Sequence, residues 1–128
     1  MLIDTNIVSY IYKGDTRAKA YEAHLTGQTL FVSFMTVAEL YRWPFERNWS
    51  EPTKQKLVQF LKNFAVLPYD EGLAWSWAEL VGKTCRGRPM SLADSWIAAT
   101  ALRHKIPVVT HNKKHFEHVP GLTIISES

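Results

Sequence analysis

Ser91-Leu92-Ala93-Asp94-Ser95-Trp96-Ile97-Ala98-Ala99-Thr100-Ala101-Leu102-Arg103-His104, running on through Lys105-Ile106 into Pro107-Val108-Val109-Thr110, is the stretch whose reading decides the architecture. Its first part reads as a helix over Leu92 to His104. Ser91 stands before it with an acid three residues on, and Arg103, His104 and Lys105 place cations at its C-terminus ahead of the stop at Pro107. Its second part, Pro107 to Thr110, is short and β-branched and reads as a strand. Further apolar runs lie at Met1 to Ile3, Leu30 to Phe34, Ala65 to Leu67 and Leu122 to Ile125. Helical spacing fills two of the gaps: Leu57, Phe60, Leu61 and Phe64, begun by Glu51-Pro52, and then Leu73, Trp77, Leu80 and Val81. Gly14-Asp15 and Gly27-Gln28 read as turns. Strands separated by helix-length segments need crossovers, so the expected fold is α/β: one domain over 1–128, a mostly parallel five-stranded sheet, helices on both faces.

In such sheets ligands bind beyond the carboxyl ends of the strands, where strand order reverses. Asp4 closes the first run, Glu39 follows the second, Asp94 opens the long helix, and Thr110 and Asn112 follow the fourth run. Parallel strands bring these groups to one edge as a site for a divalent metal. Hard carboxylate oxygens suit Mg²⁺ or Mn²⁺, and three acids held together without a cation should raise at least one pKa. There is a structural rival. Thr36-Val37-Ala38-Glu39 and Ser91-Leu92-Ala93-Asp94 both match the capping-box pattern, so either acid could serve a helix start alone. Asp4 is harder to dismiss, since an acid at the end of an apolar strand is costly to desolvate unless a cation, donor or metal meets it.

The 15 Lys and Arg residues outnumber the 12 Asp and Glu, for a net charge of +3, so basic groups must ring an acidic site. Arg86, Arg88, Lys113 and Lys114 are the candidates to hold flanking phosphates of a nucleic acid. The single cysteine, Cys85, cannot form an intrachain disulfide and reads as a packing residue. His111, His115 and His118 match no zinc spacing and read as a basic, solvated turn. Apolar residues run straight into Asp4 without a basic leader, and no stretch reaches the roughly 18 apolar residues of a membrane span. The expectation is a cytoplasmic protein. Trp43, Phe45 and Trp49 crowd around Pro44, and Trp75 and Trp77, two apart, cannot share a helix face, so some rings should be exposed for a partner.

Leu2-Ile3-Asp4-Thr5-Asn6, Thr36-Val37-Ala38-Glu39-Leu40 and Gly87-Arg88-Pro89-Met90-Ser91-Leu92-Ala93-Asp94-Ser95-Trp96-Ile97-Ala98-Ala99-Thr100-Ala101 resemble the three acidic motifs of PIN-domain ribonucleases. Val108-Val109-Thr110-His111-Asn112-Lys113-Lys114-His115-Phe116 is similar to the fourth, and within that family length and motif order resemble the VapC toxins of type II toxin-antitoxin pairs. The resemblance implies a Mg²⁺- or Mn²⁺-dependent endoribonuclease in which Asp4, Glu39 and Asp94 hold metal while Thr110 and Asn112 position water or an acid. It also implies a homodimer, a cognate antitoxin, and a structured RNA of the tRNA or rRNA class as substrate. The reaction would be hydrolysis, water attacking phosphorus in line without a nucleophilic side chain. Two departures stand out: Asn112 and His115 occupy the region where a fourth acid is common, and Tyr41-Arg42-Trp43-Pro44 stands where the family often has a glycine shortly after the Glu39-Leu40 pair. The alternative is a non-catalytic PIN-like module that binds RNA or protein. A haloacid dehalogenase-type phosphatase would need a second acid where Asn6 stands.

Overall fold

Leu2–Ile3 (β1), Phe31–Ser33 (β2), Ala65–Leu67 (β3), Val108–Val109 (β4) and Ile124–Ile125 (β5) are the strands of the computed structural model, which describes residues 1–84, 87 and 89–128. Each lies inside an apolar run expected to be a strand. They form one sheet in the order β3-β2-β1-β4-β5, with every neighbouring pair parallel. Strand order therefore runs outward from β1 in both directions, and the reversal falls between β1 and β4.

Helices α1 (Thr5–Lys13), α2 (Glu22–Leu25), α3 (Phe34–Tyr41), α4 (Trp43–Glu46), α5 (Glu51–Leu61), α6 (Glu71–Thr84) and α7 (Leu92–His104) supply the crossovers, with 3-10 turns at Thr16–Tyr21 and Lys113–His115. Side chains alternate across a strand, and here the alternation separates two cores. Leu2 and Val108 join Leu73 and Leu80 of α6 and Ile97 and Ala98 of α7. Ile3, Val32 and Val109 join Ile7 and Val8 of α1, Leu40 of α3, and Leu57 and Leu61 of α5. Both faces are covered, which explains why the central strands carry no polar alternation. Each such buried aliphatic side chain contributes about 1.5–3 kcal/mol of transfer free energy.

The long helix begins and ends where the sequence places it. Ser91 caps α7, and Lys105, at φ 55, closes it by donating its N–H to the Ala101 and Leu102 carbonyls. Gly14, at φ 67, ends α1 in the left-handed conformation that glycine adopts without strain. One helical expectation shifts. Phe64 is buried but lies past the end of α5, in the turn that enters β3.

The tryptophans divide as their spacing requires. Trp77 packs on the core and stacks on Trp96 with ring centroids 4.9 Å apart, whereas Trp75 is 70 % exposed. Trp43 and Trp49 meet edge to face and pack against the second core, and Phe45 on α4 is 74 % exposed. Among the described residues no helix is long and apolar enough to cross a membrane.

Candidate active site at the strand ends

Asp4 is positioned by the sheet itself. Ile3 is in register with Val109, and the Asp4 N–H donates to the Val109 carbonyl at 2.9 Å, so the residues leaving β1 and β4 lie side by side. Extended at φ -66 and ψ 152, Asp4 is the N-cap of α1: its Oδ1 accepts from the Thr5 N–H at 2.8 Å. Its Oδ2 accepts from Thr110 Oγ1 at 2.7 Å. Thr110 is held in turn, its N–H donating to the Ile125 carbonyl at 3.0 Å and its Oγ1 accepting from the Asn112 N–H at 3.0 Å.

The Asp4 carboxyl is pushed up to about 6. Burial is the main cause, since Asp4 is only 4 % exposed. The negative charges of Asp94 and Glu39 add to it, while the donors Thr110 and Thr5 oppose it. The raised carboxyl expected of crowded acids is found at Asp4, with desolvation outweighing repulsion.

Glu39 reaches this edge from α3, and its expected capping box is not formed. Ser33, not Thr36, is the N-cap of α3; its Oγ accepts from the Thr36 N–H at 3.1 Å. Glu39 therefore sits inside the helix, one turn too deep to reach the cap. Its Oε1 instead accepts from Thr5 Oγ1 at 2.7 Å. Because that bond uses the only Thr5 hydroxyl proton, Thr36 Oγ1, 3.0 Å away, must donate to Thr5. Ser33 Oγ donates to Thr36 Oγ1 at 3.4 Å and completes a one-way chain of hydroxyls ending on Glu39.

Asp94 does lie in the first turn of α7, its N–H donating to Ser91 Oγ at 3.1 Å. Its carboxylate is partly buried, with Oδ2 3.2 Å from His115 Nδ1. The helix is fastened behind it: Trp77 Nε1 donates to Ser95 Oγ at 2.9 Å, and Ser95 Oγ donates to the Leu92 carbonyl at 2.7 Å.

Of the three histidines expected on a solvated turn, His115 is exposed there, while the fold draws His111 and the ring nitrogens of His118 inward. His111 Nδ1 lies 2.6 Å from the hydroxyl of fully buried Tyr21, His115 faces Asp94, and the ring nitrogens of His118 are shut off from solvent. Asn112 contributes its backbone N–H to Thr110. Lys113 and Lys114 are exposed on the turn beside the site. Arg86, Arg88 and Cys85 lie outside the described residues.

Sequence reasoning passed over Thr5 and Tyr21. Thr5 stood inside the first motif and could have been suspected from its place beside Asp4. Tyr21 carries no periodic signal, yet its hydroxyl donates to the Thr110 carbonyl at 3.3 Å and accepts from the Glu127 N–H at 3.0 Å. It ties the turn that holds Asp4 to the end of the chain.

Among the described residues no three His, Cys, Asp or Glu side chains stand ready to hold an ion together. Each acid is turned to a protein donor: Asp4 to Thr110, Glu39 to Thr5, Asp94 to His115. Donor chemistry nonetheless fits a hard divalent cation, which normally takes one or two carboxylates and keeps several waters.

Comparison with known proteins bears on this edge. A family model described as PIN domain matches residues 1–122. The chain is 30 % identical to Ribonuclease VapC1 of Haemophilus influenzae (strain R2866) over 94 % of its length and 92 % of the relative's. It is 32 % identical to the VapC ribonuclease Y4jK of Sinorhizobium fredii over 98 % of its length and 96 % of that protein's. The DNA-bound VapBC structure from Salmonella typhimurium is similar in fold, with a TM-score of 0.82 and 26 % identity, covering 98 % of this chain and 96 % of that one.

Proposed function

This chain belongs to the PIN domain family, and on that premise we propose that it is an endoribonuclease of the VapC type, a toxin restrained by a cognate antitoxin. The observation that carries the reading is the buried Asp4, raised to about 6 by burial and by two further acids from different helices. A structure gains nothing by gathering acids around a buried carboxyl unless a cation or a reacting group uses them. Similarity to proteins named ribonucleases over nearly the whole chain, and to VapBC complexes in fold, supports the same conclusion.

Asp4, Asp94 and Glu39 would hold Mg²⁺ or Mn²⁺. When bound, such an ion offsets phosphodiester charge and makes water more acidic. The chain's own residues do the positioning. Thr110 fixes the Asp4 carboxylate through Oδ2, the Ser33–Thr36–Thr5 hydroxyls orient Glu39, and α7 carries Asp94 on a rigid, tryptophan-fastened first turn. Lys113 and Lys114, with Arg86 and Arg88, are placed in sequence to hold flanking phosphates. Exposed Phe45 and Tyr41 offer apolar surface to an antitoxin or a second subunit of a homodimer. A tRNA- or rRNA-class substrate and a cytoplasmic location belong to the same reading.

One observation favours a non-catalytic module: Asp4 is a helix cap and all three acids already have protein partners. Purified protein incubated with total RNA in Mn²⁺, in Mg²⁺ and in EDTA, followed by mapping of new RNA ends, separates the two. Cleavage at defined positions that disappears in EDTA and in Asp94→Asn is expected. Unbroken RNA under every metal, from a folded protein that still binds RNA, would establish the module instead.

A further inference from the structure

Beside Asp94 lies a cavity of about 290 Å³. Met90 and Ser91 border it at the start of α7, and Lys114, His115 and His118 border it from the fourth-motif turn. His118 is the anomaly. Both its ring nitrogens are buried and have no hydrogen-bond partner among the described residues.

A buried polar group without a partner costs about 1–3 kcal/mol, and natural proteins carry few of them. A half-turn about Cβ–Cγ leaves the outline of the ring unchanged and exchanges its nitrogens with Cδ2 and Cε1. The side chain can therefore present polar atoms on either edge without repacking. Three nitrogen-bearing side chains at one cavity next to a helix N-terminus form a donor set, and donors at such a place suit an anion. Asp94, the one carboxylate there, is already faced by His115 at 3.2 Å.

We infer that this cavity is the subsite for the phosphodiester flanking the scissile one, with His118 as its buried donor and Lys114 as its outer charge. The inference rests on the ribonuclease reading and names the substrate group held beside Asp94. His118 is a positioning residue, since its role is to fix the strand rather than to touch the reacting bond. A phosphate contact predicts that the site adds affinity for any base sequence, because phosphates carry no sequence information.

The test is steady-state cleavage of a single-stranded oligoribonucleotide spanning a cut position mapped for the wild type, in Mn²⁺, over a range of salt. His118→Phe keeps the ring's bulk and removes its polar atoms. It should raise KM about fivefold or more while kcat stays within about twofold. His118→Arg should restore KM. Lys114→Gln, which removes the outer charge, should raise KM and lower the log–log salt slope by about 0.7, the value of one single-strand phosphate contact. The Phe variant should melt no lower than wild type, since it loses two unpaired buried nitrogens, which separates binding from folding. Unchanged KM in His118→Phe would overturn the subsite. So would an unchanged slope in Lys114→Gln with altered base preference beside the cut, which would make the cavity a nucleobase pocket. If the wild type cuts no RNA in any metal, the ribonuclease reading itself fails, and the subsite with it.

Discussion

Asp4 concentrates the conflict between stability and use. Its carboxyl lies at about 6 in the fold against an ordinary 3.8, so the folded chain binds that proton more tightly than the unfolded chain does. The sign follows: this group favours the metal-free fold most below its unfolded pKa, and the favour is lost as pH rises towards its folded one. The full cost of about 3 kcal/mol is present at neutral pH. Asp4→Asn cannot ionise and escapes that cost. In EDTA the variant should therefore melt at nearly the wild-type temperature near pH 4 and several degrees higher at pH 7, while cleavage in Mn²⁺ falls by about 10²-fold or more. A melting difference that stays flat with pH would show that Asp4 is not held under this strain.

At the scale of single elements, α3 and α7 present their acids by different means. Ser91 starts α7 and Asp94 sits in its first turn, close to the pattern read from the sequence. In α3 the same pattern misleads, because Thr36-Val37-Ala38-Glu39 begins one turn inside a helix already started at Ser33. Ser33 leaves β2 in an extended conformation, and the chain turns helical at once, so strand geometry and not local spelling chooses the cap. Glu39→Gln should then leave stability within about 0.5 kcal/mol, as expected of a residue that caps nothing, while cleavage drops sharply. Ser33→Ala should cost about 1 kcal/mol in chemical denaturation, the usual loss of a helix cap. If Glu39→Gln proved the more destabilising of the two, Glu39 would be a structural residue.

Over the whole molecule, three acids of a chain with net charge +3 meet at one sheet edge. Three ionised acids sum to about −3, so one divalent ion leaves about −1, which still repels a phosphodiester. The free protein should take up one weakly held Mn²⁺ or none, with full occupancy only when an RNA phosphate is present. Isothermal titration of Mn²⁺ with and without uncleaved RNA measures this, and two tight sites in the free protein would contradict it. Binding should also release a proton near pH 6 and raise the melting temperature as Mn²⁺ increases.

The sequence by itself determined the α/β class, the five strands, the span of the helix from Leu92 to His104, and the identity of the residues leaving each strand. These depend on local pattern: apolar periodicity, caps and breakers act over a few residues and are legible one after another. Only the tertiary structure decided which polar groups touch. Ile3 in register with Val109 sets Thr110 against Asp4, and the packing of α1 on α3 gives Glu39 to Thr5. The turn after β4 carries His115 to Asp94 and buries the nitrogens of His118. Such partners lie many residues apart in the chain, and their pairing depends on strand register and helix packing, which no short stretch encodes alone.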